Sequence, residues 1–159
     1  MQPLRLQGFT LIELVITVAI VALLATVAMP MAELTVKRNK EQELKLALRQ
    51  IRDGIDAYKK SFDEGHITKA ATDTGYPKTL ESLVDGIEDA KSIKRTKIYF
   101  LRRLPRDPFS TDTQASAAAT WGKRSYNSSA DQPEEGADVY DVYSYTTATS
   151  INGVPYREW

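Results

Sequence analysis

The sequence predicts an α+β chain: one long N-terminal helix, transmembrane over its first half, packed through its second half on a small C-terminal antiparallel sheet. Three observations predict it. After Glu13 no charged residue occurs until Glu33. Beyond that gap Leu44, Leu48, Ile51, Ile55, Tyr58 and Phe62 recur at spacings of three and four, the stripe of an amphipathic helix. From Trp121 the period changes to two, and Val139–Tyr145 is rich in β-branched and aromatic residues, as strands are.

The uncharged run, residues 14–32, is close to the roughly 20 residues that cross a bilayer core of about 30 Å. Because the helical period continues past it, one helix is expected from about Leu11 to Phe62. At 1.5 Å per residue that is roughly 75 Å, too long for a compact domain of this size, so half of it must project elsewhere. Opposite the stripe lie Glu41, Lys45, Arg49, Arg52, Asp56 and Lys59, with Glu41 and Lys45 set as a favourable i,i+4 pair. Pro30 stands inside the pattern and is expected to bend or locally melt the helix. Gly54 reads as a close-packing position, and Gly65 as the left-handed residue that ends the helix.

A loop through Ala70–Asp73 follows, then Gly75-Tyr76-Pro77 and a short helix over residues 79–84 with Thr79 as N-cap. Tyr99–Phe109 contains two prolines and cannot be a long helix, and Ser110–Thr120, small and polar, reads as a mobile loop. Strands at Trp121–Tyr126 and Val139–Tyr145 are joined by a turn at Asn127–Ala130. Asn152-Gly153 predicts a further tight turn between Ser150-Ile151 and Val154–Tyr156, giving a sheet of three or four strands.

The chain of 159 residues has no cysteine and a formal net charge of zero, which leaves no long-range field to attract nucleic acid. The charge is nevertheless segregated. Lys91–Arg106 carries Lys91, Lys94, Lys97, Arg95, Arg102, Arg103 and Arg106 with no acid; Ser129–Asp141 carries Asp131, Glu134, Glu135, Asp138 and Asp141 with no base. The two runs are either solvated loops or surfaces that meet, within a subunit or between neighbours.

A lone carboxylate at the front of an apolar segment needs a reason, since an ionised Glu at membrane depth costs about 2.5–3.5 kcal/mol at mid-helix. A Sec-type signal peptide could be drawn through Arg5, Leu14–Ala25 and Thr26-Val27-Ala28, but it leaves Glu13 unexplained. The run Gly8-Phe9-Thr10-Leu11-Ile12-Glu13, with Pro30 beyond it, resembles the prepilin signal of type IV pilins and type II secretion pseudopilins. The resemblance implies a leader of residues 1–8, cleavage between Gly8 and Phe9 by a prepilin peptidase, and N-methylation of Phe9. It also implies that Glu13 pairs with the Phe9 amine of a neighbouring subunit during assembly, and that Pro30 marks where the helix can lose order in the filament. Residues 9–32 would then be the transmembrane and filament-core helix, and 33–159 a periplasmic globular domain.

The resemblance continues through Gly75-Tyr76-Pro77, Leu104-Pro105-Arg106-Asp107-Pro108 and Trp121-Gly122, steps that in this order look like the major pseudopilin of type II secretion. Lack of cysteine points the same way, because type IV pilins commonly close their C-terminal region with a disulfide. That family also usually binds calcium in a C-terminal loop. Here Tyr145–Ser150 offers no carboxylate; Asp138, Asp141 and Asn152 could supply oxygens, too few for the six to eight that calcium wants. No cofactor or metal is therefore expected, with calcium the one alternative left open.

Catalytic chemistry has little to work with. His66 is the only histidine and is expected to be an exposed bystander, and Gly122–Ser125 lacks the upstream glycine of a phosphate loop. The chain reads as a substrate of an enzyme, not an enzyme. By resemblance its partners are the prepilin peptidase, other pseudopilin subunits in a homopolymer with minor pseudopilins, an inner-membrane assembly platform, and the lipid bilayer before assembly. The expected function is a subunit of the periplasmic pseudopilus of a type II secretion system, held in a bacterial inner membrane by one pass. The alternatives are a type IV pilin or minor pilin of a surface filament, and a secreted or anchored binding domain using Tyr126, Tyr140, Tyr143 and Tyr145.

Overall fold

The computed structural model describes residues 8–70 and 73–159. The expected leader up to residue 7, and Ala71 and Thr72 of the first loop, lie outside the described residues. Helix α1 spans Leu11–Asp63 and continues without interruption through Pro30. Two compact units divide between Asn39 and Lys40.

In the second unit the predicted stripe is the core. Leu44, Leu48, Ile51, Ile55, Tyr58 and Phe62 are all buried, and each large aliphatic among them contributes about 1.5–3 kcal/mol by leaving water. The helix ends in a Schellman motif: the His66 amide donates to Ser61 O at 2.9 Å and the Gly65 amide to Phe62 O at 3.0 Å. Gly65 takes the left-handed conformation that the motif needs, with φ +83°. Gly54 meets Leu101, whose Cγ would lie 3.0 Å from an added Cβ.

The short helix is displaced from its expected place. α2 spans Ser82–Asp85, and Thr79 is not its N-cap; the Thr79 carbonyl instead accepts from Ser82 Oγ at 2.6 Å. Leu80 and Leu83, both fully buried, explain the shift, because their three-residue spacing turns both side chains inward within one tight turn.

The expected sheet of three or four strands is two separate two-stranded ladders. β1 (Ile87–Glu88) pairs antiparallel with β2 (Lys97–Ile98), in register Ile87 with Ile98. β3 (Trp121–Arg124) pairs antiparallel with β4 (Asp141–Ser144), in register Trp121 with Ser144 and Gly122 with Tyr143. The Asn152-Gly153 turn forms, with the Ser150 amide on Val154 O at 2.8 Å, but it closes only a single bridge between Thr149 and Pro155. Pro155 has no amide to carry a ladder further. A 3₁₀ turn at Tyr156–Glu158 follows.

The segment 110–120 is built rather than loose. Arg106 donates to the carbonyls of Asp112 and Ala115, and the segment closes in a 3₁₀ turn at Ala118–Thr120 with Ala118 and Thr120 buried. The Leu104–Pro108 step is bolted to the second ladder. Trp121 Nε1 donates to Pro105 O at 2.9 Å, and Ser144 Oγ donates to Asp107 Oδ2 at 2.5 Å.

Candidate functional site

Gly8, Phe9 and Thr10 precede α1 without helical structure, and nothing lies within 4 Å of an added Gly8 Cβ. Phe9 is 89% exposed. Thr10 is the N-cap of α1, its carbonyl accepting from the Leu14 amide at 3.2 Å. The Thr10 hydroxyl accepts from the Glu13 amide at 3.3 Å, while Glu13 Oε2 accepts from the Thr10 amide and hydroxyl, both at 2.8 Å. This is a capping box, in which residues N-cap and N3 satisfy each other's orphan donors. From the sequence Thr10 reads only as part of the signal and not as a cap, although Thr-x-x-Glu before an apolar run is the capping-box signature.

Glu13 is therefore held at the first turn, where the helix dipole favours a carboxylate. Oε1 accepts no bond among the described residues. After Glu13 the apolar side chains of α1, Leu14 to Leu24, are exposed, and the helix is long and apolar enough there to cross a membrane. Such a surface is stable only in lipid or against other apolar helices. Pro30 supplies no amide, so the Thr26 carbonyl loses its helical donor while α1 carries on.

The C-terminal residues considered for calcium do not converge. Asp138 is buried and accepts from Thr74 Oγ1, from Ser125 Oγ at 2.7 Å and from the Tyr126 amide at 2.9 Å. Burial acts to raise its carboxyl, but the hydrogen bonds from Thr74, Tyr126 and Ser125 outweigh it and hold the group below the usual range. Asp141 Oδ1 accepts from Arg52 Nε at 2.7 Å, and Oδ2 lies 3.4 Å from Arg124. Asn152 lines a separate open cavity beside Lys45, Arg49 and Trp159. Among the described residues no three His, Cys, Asp or Glu side chains gather as a metal site. The donor set does not fit calcium.

What joins α1 to the C-terminal segment instead is protein cation and protein anion. Arg52 bonds Asp141, donates to Trp159 O at 2.8 Å and reaches Val142 O at 3.2 Å. The ammonium of Lys45 sits 4.5 Å from the Trp159 ring centre. Glu41 does not pair with Lys45: its Oε1 accepts from the Ile151 amide and the Tyr156 hydroxyl. Both residues looked like solvent-face positions because helix geometry alone does not reveal what the last residues of the chain will cover.

His66 is not a bystander. Its Nδ1 lies 2.9 Å from Asp89 Oδ1, and its carbonyl accepts from the Ala90 amide, which ties the end of α1 to the β1–β2 connection. The four tyrosines considered as one ligand face form two clusters. Tyr126 and Tyr140 pack with Tyr76, whereas Tyr143 packs with Tyr145.

Compared with known protein families, residues 5–29 match the Prokaryotic N-terminal methylation motif. No curated protein and no solved structure matches the chain. The matched segment takes in Gly8, Phe9, Thr10, Glu13 and the apolar start of α1, and ends just before Pro30. It is a type IV pilin-like prepilin signal, and it heads an α+β fold with a long N-terminal helix and small antiparallel sheets, the layout of pilin-like proteins.

Proposed function

We propose that this chain is a structural pseudopilin, cut between Gly8 and Phe9 by a prepilin peptidase, methylated on Phe9, and assembled into the periplasmic pseudopilus of a type II secretion system. The observation that carries this reading is the capping box at the head of an exposed apolar helix, inside the matched methylation motif. Cleavage creates the Phe9 α-amine one residue before Thr10. Glu13 Oε1 is the oxygen left to accept a neighbouring subunit's amine, and pairing a carboxylate with a cation in lipid relieves its desolvation penalty and sets register. The apolar surface from Leu11 to Met29 forms the filament core, and the globular domain coats it outside the inner membrane. An assembly platform and minor pseudopilins complete the polymer. The chain's work is structural and needs no enzyme chemistry.

A surface type IV pilin is the second reading. The absence of cysteine and the Leu104–Pro108 step, bonded through Pro105 and Asp107 to β3 and β4, favour the pseudopilin. The test is co-expression with a prepilin peptidase, followed by N-terminal sequencing and intact mass. A product starting at Phe9 with one added methyl supports the reading. A product starting at Met29 makes the apolar segment an ordinary signal peptide and removes the assembly argument.

A further inference from the structure

The two charged runs are built surfaces, and they do not neutralise each other within the chain. The basic one is the tip between β1 and β2. Its internal bonds, from the Asp89 amide to Thr96 O at 2.9 Å and from the Arg95 amide to Ser92 O at 3.1 Å, hold it in shape. Its one acid, Asp89, is turned inward, accepting from the Lys91 amide at 2.9 Å and contacting His66. Lys91, Lys94 and Arg95 are left exposed with no carboxylate partner among the described residues. Ile93, between them, is fully exposed at 102%. An apolar knob ringed by unpaired cations is a surface shaped for a partner.

The acidic run supplies one. Buried Asp138 pins one end of the loop after β3, and the Ser125 amide pins it again at Glu134 O, 3.0 Å away. On the loop held by these bonds Asp131, Glu134 and Glu135 are exposed. Asp131 and Glu134 have no cation partner among the described residues; Glu135 lies 3.7 Å from Lys123. Among the described residues no ion pair joins this loop to the hairpin.

We infer that the Lys91/Lys94/Arg95 hairpin tip of one copy docks on the Asp131/Glu134/Glu135 loop of a second copy. The two surfaces are different patches of one molecule, so the contact is heterologous, and repeated head to tail it propagates an open helical filament. Opposite charges steer the encounter and fix its register, and Ile93 leaves water in the contact. The inference rests on the reading of this chain as a polymerising subunit and names the contact between its globular domains.

The absence of cysteine makes the test clean. Two differently tagged full-length copies, one Lys94→Cys and one Glu134→Cys, are co-expressed with a prepilin peptidase and treated in membranes with a short bis-maleimide. A mixed dimer is expected, weakened in high salt as the screening length falls from about 10 Å at 0.1 M toward about 3 Å at 1 M. In a copy also carrying Lys91→Glu, with Glu replacing Arg95, the yield should fall about tenfold or more. Pairing that copy with Asp131→Lys and Glu135→Lys on the other should restore it. Co-isolation of the two tags in detergent reports polymerisation separately. Tags that co-isolate with no mixed dimer overturn this contact while the filament reading stands; tags that never co-isolate overturn both. Absence of the dimer together with binding of the hairpin to phosphatidylglycerol vesicles, lost in the Lys91→Glu copy, assigns the cations to a bilayer and also overturns it.

Discussion

The Tyr156 hydroxyl donates to Glu41 Oε1 at 2.9 Å, on the same oxygen that takes the Ile151 amide at 2.7 Å. One carboxylate on α1 thus holds the C-terminal turn at two points. Burial, then the bond and the charge of Glu41, push the Tyr156 hydroxyl up to about 12.

Tyr156→Phe keeps the ring stack on Phe109 and removes only the donor. Chemical denaturation at neutral pH should show a loss of about 1.5–3 kcal/mol, the range for a hydrogen bond to a charged group. The folded protein holds this proton to a higher pH than the unfolded chain, so the contribution is complete below pH 10.0 and is lost as pH rises through about 12. The parent should therefore lose stability over that interval more steeply than the Phe variant.

Asp138 has the opposite sign. Its carboxyl is held below the ordinary aspartate value of 3.8, so its contribution is present above that pH and lost as the pH falls through the lower folded value. Asp138→Asn should cost about 1–3 kcal/mol at neutral pH, and the gap to the parent should narrow in acid.

Arg52→Gln removes three bonds to β4 and the chain's last residue, and should lower stability by about 1–2 kcal/mol, moderated because the pair is partly exposed. Arg52→Lys should not restore it, since an ammonium cannot reproduce the guanidinium fork. Adding calcium or a chelator should leave the parent's thermal midpoint unchanged.

Two glycines should respond differently to alanine. A Cβ on Gly122 would overlap the ring of Tyr143, its cross-strand partner, so Gly122→Ala should cost about 1–3 kcal/mol. A Cβ on Gly54 meets only the Leu101 side chain, and the alanine gains about 0.5–1 kcal/mol of helix preference. Gly54→Ala should stay close to the parent in a denaturant titration.

On the proposed reading, Glu13→Leu should still insert and be cut to a Phe9 start, but polymer yield should fall about tenfold or more, because the carboxylate proposed to answer a neighbour's amine is gone. Normal assembly of this variant would remove Glu13 from the mechanism.

The parts legible in the sequence are those with a long periodic signal. A charge gap and a stripe of six residues carried α1, and Gly65 marked its end because only a left-handed residue completes that cap. The β1–β2 hairpin was missed because two-residue strands show no alternation; its shape comes from Asp89 reaching His66 and the Lys91 amide. Thr79 looked like a cap from its type alone, while packing of Leu80 and Leu83 decided otherwise. Glu41 and Arg52 were read as surface charges because their partners lie about a hundred residues further along the chain.

That separation sets an order of events during synthesis. The face of α1 from Leu44 to Phe62 leaves the ribosome long before Val142, Tyr156 and Trp159 exist to cover it. At about 5–20 residues per second the delay is on the order of ten seconds. Throughout that interval the nascent domain carries a naked greasy flank, and it can close into its native form only when Val142, Tyr156 and Trp159 arrive.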